Sequence, residues 1–175
     1  IRAQLDNDFE KGKEYVEKIA NKYPDKKIRI GGHSKGGNVA IYSAITAPDR
    51  IQTRIKKVDN FDGPGFNKKI VSKYGKKKIL DKIETFIPQE SIIGRIMEHK
   101  EKTTVSLSSE KGIFQHDIFS WQVSRNEMLK SEKNTQKSED INKTVTTWLE
   151  NTESEKRKIF IDSLSELFFS TEADT

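Results

Sequence analysis

Between Lys27 and Ala47 the apolar pattern changes period, and the five residues Gly32-His33-Ser34-Lys35-Gly36 stand at the change. Lys27 to Gly31, with Ile28 and Ile30, reads as a short strand, and Gly36 to Ala47 reads as a helix stopped by Pro48. The junction therefore carries G-x-S-x-G where a strand turns sharply into a helix. That is the setting of a nucleophile elbow, in which small neighbours let strand and helix approach and the serine is held in a strained conformation. At ordinary residue frequencies the bare pattern occurs by chance in about one chain of this length in twenty, so its position carries the weight. The competing reading is a glycine-rich turn in which Ser34 only caps the helix.

The rest of the chain supplies a sheet for this junction. Leu5, Phe9, Gly12, Val16, Ile19 and Tyr23 recur at helical spacing, and the helix they form ends near Pro24. Further strands fit Ile55 to Phe61, closed by Asp62-Gly63-Pro64-Gly65, then Ile83 to Ile87, closed by Pro88, and Thr103 to Leu107. Strands alternating with helices imply an α/β fold with a parallel or mostly parallel sheet. The expected organisation is one α/β domain over 1–128, a polar linker over 129–140, and closing helices over 141–175, marked by Val145, Trp148 and Leu149 and by Phe160, Leu164, Leu167 and Phe168.

A serine hydroxyl is a weak nucleophile near neutral pH and needs a base, usually a histidine that a carboxylate orients. The sequence has three histidines. His33 lies inside the elbow, where its side chain is expected to point away from the site, and His99 falls in the charged stretch Glu98 to Lys102. His116, in the loop Gly112 to Asp117 after the last strand, is the expected base, and nucleophile first with histidine last is the chain order of α/β-hydrolases. The competing reading is a loop histidine packed against Trp121. Four carboxylates are placed to act as the acid: Asp62, Glu90, Glu110 and Asp117. The two that follow strand ends are favoured, Glu90 narrowly over Asp62, each with turn capping as its structural alternative.

Composition removes other chemistries. With no cysteine, a thiol nucleophile and thiolate metal sites are excluded, and no histidine pair stands at ligand spacing, so neither metal nor cofactor is expected. The net charge of +5 comes from 32 basic and 27 acidic residues, a mixed surface. Lys76-Lys77-Lys78 lacks the interleaved aromatics that stack bases, so nucleic acid is not an expected partner. No apolar run reaches the roughly 20 residues of a membrane span. Residue 1 is isoleucine and no leader precedes the first helix, so a fragment or processed product is expected; the expected location is cytoplasmic, with secretion as the alternative because an incomplete N-terminus is compatible with a removed signal.

The run Gly31 to Ala40, Gly-Gly-His-Ser-Lys-Gly-Gly-Asn-Val-Ala, resembles the elbow of class 3 lipase-like α/β-hydrolases, whose usual form is G-H-S-L-G-G. Phe61-Asp62-Gly63-Pro64-Gly65-Phe66, Ile87 to Gly94, and Gln115-His116-Asp117 with Trp121 are similar to a bacterial lipase-like family of undefined substrate. The resemblance spans about Lys26 to Val123. It implies Ser34 as nucleophile, His116 as base, the loop after the third strand as the acid position, and the Lys35 backbone N–H as one oxyanion donor. Glu90 followed by Ser91 fills that loop; a register slip of one leaves serine in the slot and promotes Asp62. Lys35 replaces the customary leucine. The second oxyanion donor belongs to an earlier loop for which the 26 residues before the elbow strand leave no room, so only the C-terminal, nucleophile-bearing part of the full fold is expected, with an upstream segment of the same protein as its partner.

Two functions follow as expectations. The first is a serine ester hydrolase acting on a small-molecule or lipid ester through an acyl-enzyme on Ser34. The second is a hydrolase-fold binding module impaired in turnover. A weaker third is an anionic-surface binder using Lys68, Lys69, Lys76, Lys77 and Lys78.

Overall fold

The computed structural model describes residues 2–74, 78–132 and 134–153, with scattered positions beyond. Lys76 and Lys77 of the basic cluster, and Leu164, Leu167 and Phe168 of the second closing helix, lie outside the described residues. Four strands form one parallel sheet in sequential order: β1 (Ile28–His33), β2 (Ile55–Phe61), β3 (Ile83–Pro88) and β4 (Lys102–Ser106). The chain is thus α/β, a parallel sheet with flanking helices. α1 (Arg2–Lys22) packs on α2 (Lys35–Thr46), and α2 packs on β1 and β2. Two short helices, α3 (Asp49–Gln52) and α4 (Lys68–Tyr74), stand in the crossovers. A small antiparallel hairpin of β5 (Val123–Ser124) and β6 (Glu127–Met128) precedes α5 (Gln136–Asn151).

Alternation along the strands, with one extra β2 residue at the register shift between the Ile28–Ile55 and Arg29–Lys57 pairs, assigns the two faces of the sheet. Ile55 and Val58 of β2 and Ile83 of β3 join Val16 and Ala20 of α1 and Ala40, Ile41, Ala44 and Ile45 of α2 in the main core. Ile51, on the short crossover helix, is fully buried in that cluster. Truncating it to alanine is expected to cost about 2–5 kcal/mol, through lost burial and the cavity left behind. A urea titration of Ile51→Ala checks this; a change in stability below about 1 kcal/mol would show that the crossover helix is not part of the core. Gly12 serves the helix pairing, because a Cβ there would stand 2.4 Å from Val39 Cγ1.

The opposite face carries a charge ladder across all four strands. Arg29 bonds Asp59, Lys57 bridges Asp59 and Glu84, and Lys102 bonds Glu84. Burial pushes the Glu84 carboxyl up, but hydrogen bonds from Lys102, Thr104 and Lys57 outweigh it and hold its pKa at about 2, against an ordinary 4.5. A depressed folded-state pKa means that the ion favours folding above pH 4.5, and that this contribution fades as pH falls through the window from 4.5 to about 2. The stability gap between wild type and Glu84→Gln is therefore expected to shrink as the pH is lowered from about 6 to about 3. Urea midpoints at several pH values test this, and a gap that stays constant contradicts it.

The segment read as a polar linker over 129–140 is tied to the sheet at its start. Leu107 N donates to Leu129 O, Ser131 N to Val105 O, and Thr135 N to Gln89 O; α5 then begins at Gln136, capped by the Thr135 hydroxyl. Polarity there reflects a solvated face, because backbone pairing does not need apolar side chains.

Candidate active site

β1 runs on through His33, two residues further than its apolar spacing suggests, and α2 starts at Lys35. One residue, Ser34, makes the whole reversal. It has φ 53 and ψ −126, a conformation that costs a non-glycine residue about 1–3 kcal/mol. Its N–H donates to the Phe61 carbonyl at 2.8 Å, and its carbonyl accepts from Gly37 N and Asn38 N at the start of α2. As the first residue of α2, Lys35 has a backbone N–H with no carbonyl of that helix to bond. The Lys35 ammonium is paired with Asp8 of α1, and this hydrogen bond holds the Asp8 carboxyl below its ordinary pKa.

The glycines divide unequally. A Cβ on Gly32 would stand 2.4 Å from the Gly36 carbonyl, so the strand and helix touch there. Gly36, expected to be needed for the same approach, has open space around its Cβ position. The demand falls instead on its neighbour Gly37, whose Cβ would be 1.9 Å from Asn60 Oδ1.

Asp62 follows the end of β2, the strand next to β1, and it too has a positive φ, 51. It is 1% exposed, and its carboxylate is bonded at both oxygens. Oδ2 meets His116 Nδ1 at 2.7 Å, while Oδ1 accepts from Ser91 Oγ at 2.5 Å and from Gly94 N at 3.1 Å. Glu90, the carboxylate preferred from the sequence, is not on the histidine: it accepts from Gly112 N at 2.5 Å and so ties down the start of the 3-10 turn Gly112–His116. Its backbone N–H is in turn held by Gln115 Oε1. The residue after it, Ser91, is the one that reaches the site, and it does so as a donor to Asp62. The sequence reading missed that contact, and the signal for it was the serine in the acid slot.

His116 is 8% exposed and is placed by its neighbours. Trp121 Nε1 donates to the Gln115 carbonyl, and buried Gln115 donates to the Glu110 carbonyl, which fixes the turn. His33 does not point away from the site. Its Nε2 donates to the His116 carbonyl at 2.7 Å, and the two rings stack obliquely with centroids 4.6 Å apart. The reason is register: in the extended β1, His33 pairs with Phe61, whose ring packs edge-on against Trp121, so both side chains face the excursion that carries His116. Glu110 gives the site only its backbone carbonyl, and Asp117 caps the next turn by accepting from Phe119 N.

With Nδ1 donating to the Asp62 carboxylate, His116 carries its basic lone pair on Nε2, the arrangement a general base requires. Ser34 and Asp62 close adjacent strands, and the residue beside the serine lies on the histidine ring. Among the described residues there is no group of histidine and carboxylate side chains able to hold a metal, and no helix long and apolar enough to cross a membrane.

A family model described as Mbeg1-like matches residues 7–166. The chain belongs to the Mbeg1-like family. The Mbeg1-like match takes in Ser34, Asp62, Ser91 and His116 and runs on through α5. No curated protein matches the chain.

Proposed function

We propose that this chain is the nucleophile-bearing part of an α/β-hydrolase of class 3 lipase-like type, and that it cleaves carboxylic esters through an acyl-enzyme on Ser34. The observation that carries this reading is the 2.7 Å contact of His116 Nδ1 with buried Asp62, two residues that close onto the strand end where Ser34 is held at positive φ. Ser34 Oγ attacks the ester carbonyl as its proton passes to His116 Nε2, and Asp62 stabilises the imidazolium that forms. The backbone N–H of Lys35, at the positive end of α2, is the donor this chain offers to the developing oxyanion. Collapse of the tetrahedral intermediate returns the proton to the departing alcohol. Water, activated by His116 in the same way, then hydrolyses the acyl group from Ser34.

The reading is tested with a p-nitrophenyl ester. A burst of nitrophenolate with a Ser34-linked acyl group in the intact mass is expected, and Ser34→Ala is expected to show neither. Turnover surviving in Ser34→Ala removes the acyl-enzyme. Absence of both signals in wild type favours the second reading, a hydrolase-fold binding module.

A further inference from the structure

Beneath the elbow runs a second buried polar chain that the proposed reaction does not use directly. Asn60, on β2, is fully buried, and its amide sits between two glycines: Cβ atoms on Gly37 and Gly63 would stand 1.9 and 2.3 Å from its Oδ1. Gly37 lies in the first turn of α2, and Gly63 follows Asp62. A Cβ on Gly63 would also stand 2.4 Å from the Ser34 carbonyl, so the Asn60 amide lies where the elbow meets the turn that carries the acid. It grips that turn twice, accepting from Gly63 N at 2.9 Å and donating to Gly63 O at 3.1 Å.

The orientation of the amide is set from the neighbouring strand, where Thr85 of β3 pairs in register with Asn60 on the same face of the sheet. Asn60 Nδ2 also donates to Thr85 Oγ1 on β3, and the Thr85 hydroxyl donates to Glu101 Oε1 at 2.5 Å. Because that hydroxyl spends its proton on a carboxylate, it can only accept from Asn60, and the NH2 group must point toward it. Glu101 is held in place by His99 Nδ1 at 2.6 Å. His99 Nε2 is buried with no hydrogen-bond partner among the described residues, so the proton belongs on Nδ1, where it is donated, and an unsatisfied N–H is avoided. Burial pushes the Glu101 carboxyl up, and the bonds from His99 and Thr85 outweigh this, which keeps it ionised and the chain polarised in one direction.

We propose that Asn60 is a positioning residue for the elbow, locked by the chain His99–Glu101–Thr85, and that it holds the Gly63 turn so that Asp62 and Ser34 keep their strained conformations in mutual register. The positioning role rests on the hydrolase reading; the bracing of Gly63 does not.

The test compares Thr85→Val, which removes both the acceptor and the donor, with Thr85→Ser, which keeps them. Two readouts are used: exchange of the Gly63 amide by NMR, and the rate at which a fluorophosphonate probe labels Ser34. In Thr85→Val the Gly63 amide is expected to exchange about ten-fold faster while Val58 and Ile83 stay protected, and labelling to slow by about ten- to a hundred-fold, the scale of a small misplacement of a reacting group. Thr85→Ser restores both. Unchanged Gly63 exchange in Thr85→Val overturns the brace, and faster exchange with unchanged labelling overturns the positioning role. If wild type does not label, the hydrolase reading fails by itself and Gly63 exchange alone decides the brace. Should Thr85→Val not fold, Glu101→Gln, which removes the polarising charge at constant size, is read in the same way.

Discussion

Asp62→Asn is expected to lower kcat/KM for ester cleavage by about 10³- to 10⁴-fold, while Glu90→Gln stays within a few-fold of wild type. The loss in Asp62→Asn comes from proton placement on His116. Ser91 Oγ and Gly94 N both donate to Asp62 Oδ1, so in the asparagine variant the amide oxygen takes that side. The NH2 group is then left facing His116 Nδ1. That nitrogen must accept, the ring proton moves to Nε2, and the base has no lone pair for the serine hydroxyl. Glu90 accepts only from the Gly112 N–H, a bond that glutamine's carbonyl can also accept. Steady-state kinetics on the two variants decide the matter, and a loss in Glu90→Gln without one in Asp62→Asn would return the acid role to Glu90.

The second large effect is structural and separates two adjacent glycines. Gly37→Ala is expected to destabilise the protein by about 3 kcal/mol, and Gly36→Ala to stabilise it by about 0.5–1 kcal/mol. At Gly37 the new methyl would lie 1.9 Å from Asn60 Oδ1, and Asn60 cannot give way, because Gly63 and Thr85 hold its amide. At Gly36 the methyl meets nothing, and alanine suits a helix better than glycine does. Urea unfolding of the two variants measures the difference. Equal destabilisation would mean that the elbow needs both glycines for reasons of backbone strain.

The same pair shows what could be read from the sequence. β2 was legible to the residue, and β3, β4 and α2 to within a residue or so: β2 ends at the Asp62-Gly63-Pro64-Gly65 turn, β3 and α2 end at or just before a proline, and β4 is rich in β-branched residues. β1 was cut short because Gly32 and His33 carry no apolar signal, and that shift of two residues hid the contact of His33 with His116. Ser34 and His116 stood out by residue type and chain order. The choice between Asp62 and Glu90 depends on where two loops fold back across neighbouring strands, and no local pattern encodes that. Asn60, Thr85 and Glu101 were invisible as a group for a related reason: each is an ordinary polar residue in its own segment, and only strand register brings them together.

The most direct test of the account is intact-mass labelling with a fluorophosphonate probe on wild type, Ser34→Ala and His116→Ala. One adduct is expected on wild type, none on Ser34→Ala, and labelling slowed by about a thousand-fold or more on His116→Ala. An adduct that survives Ser34→Ala, or a wild-type serine that labels no faster than it does without His116, would contradict it.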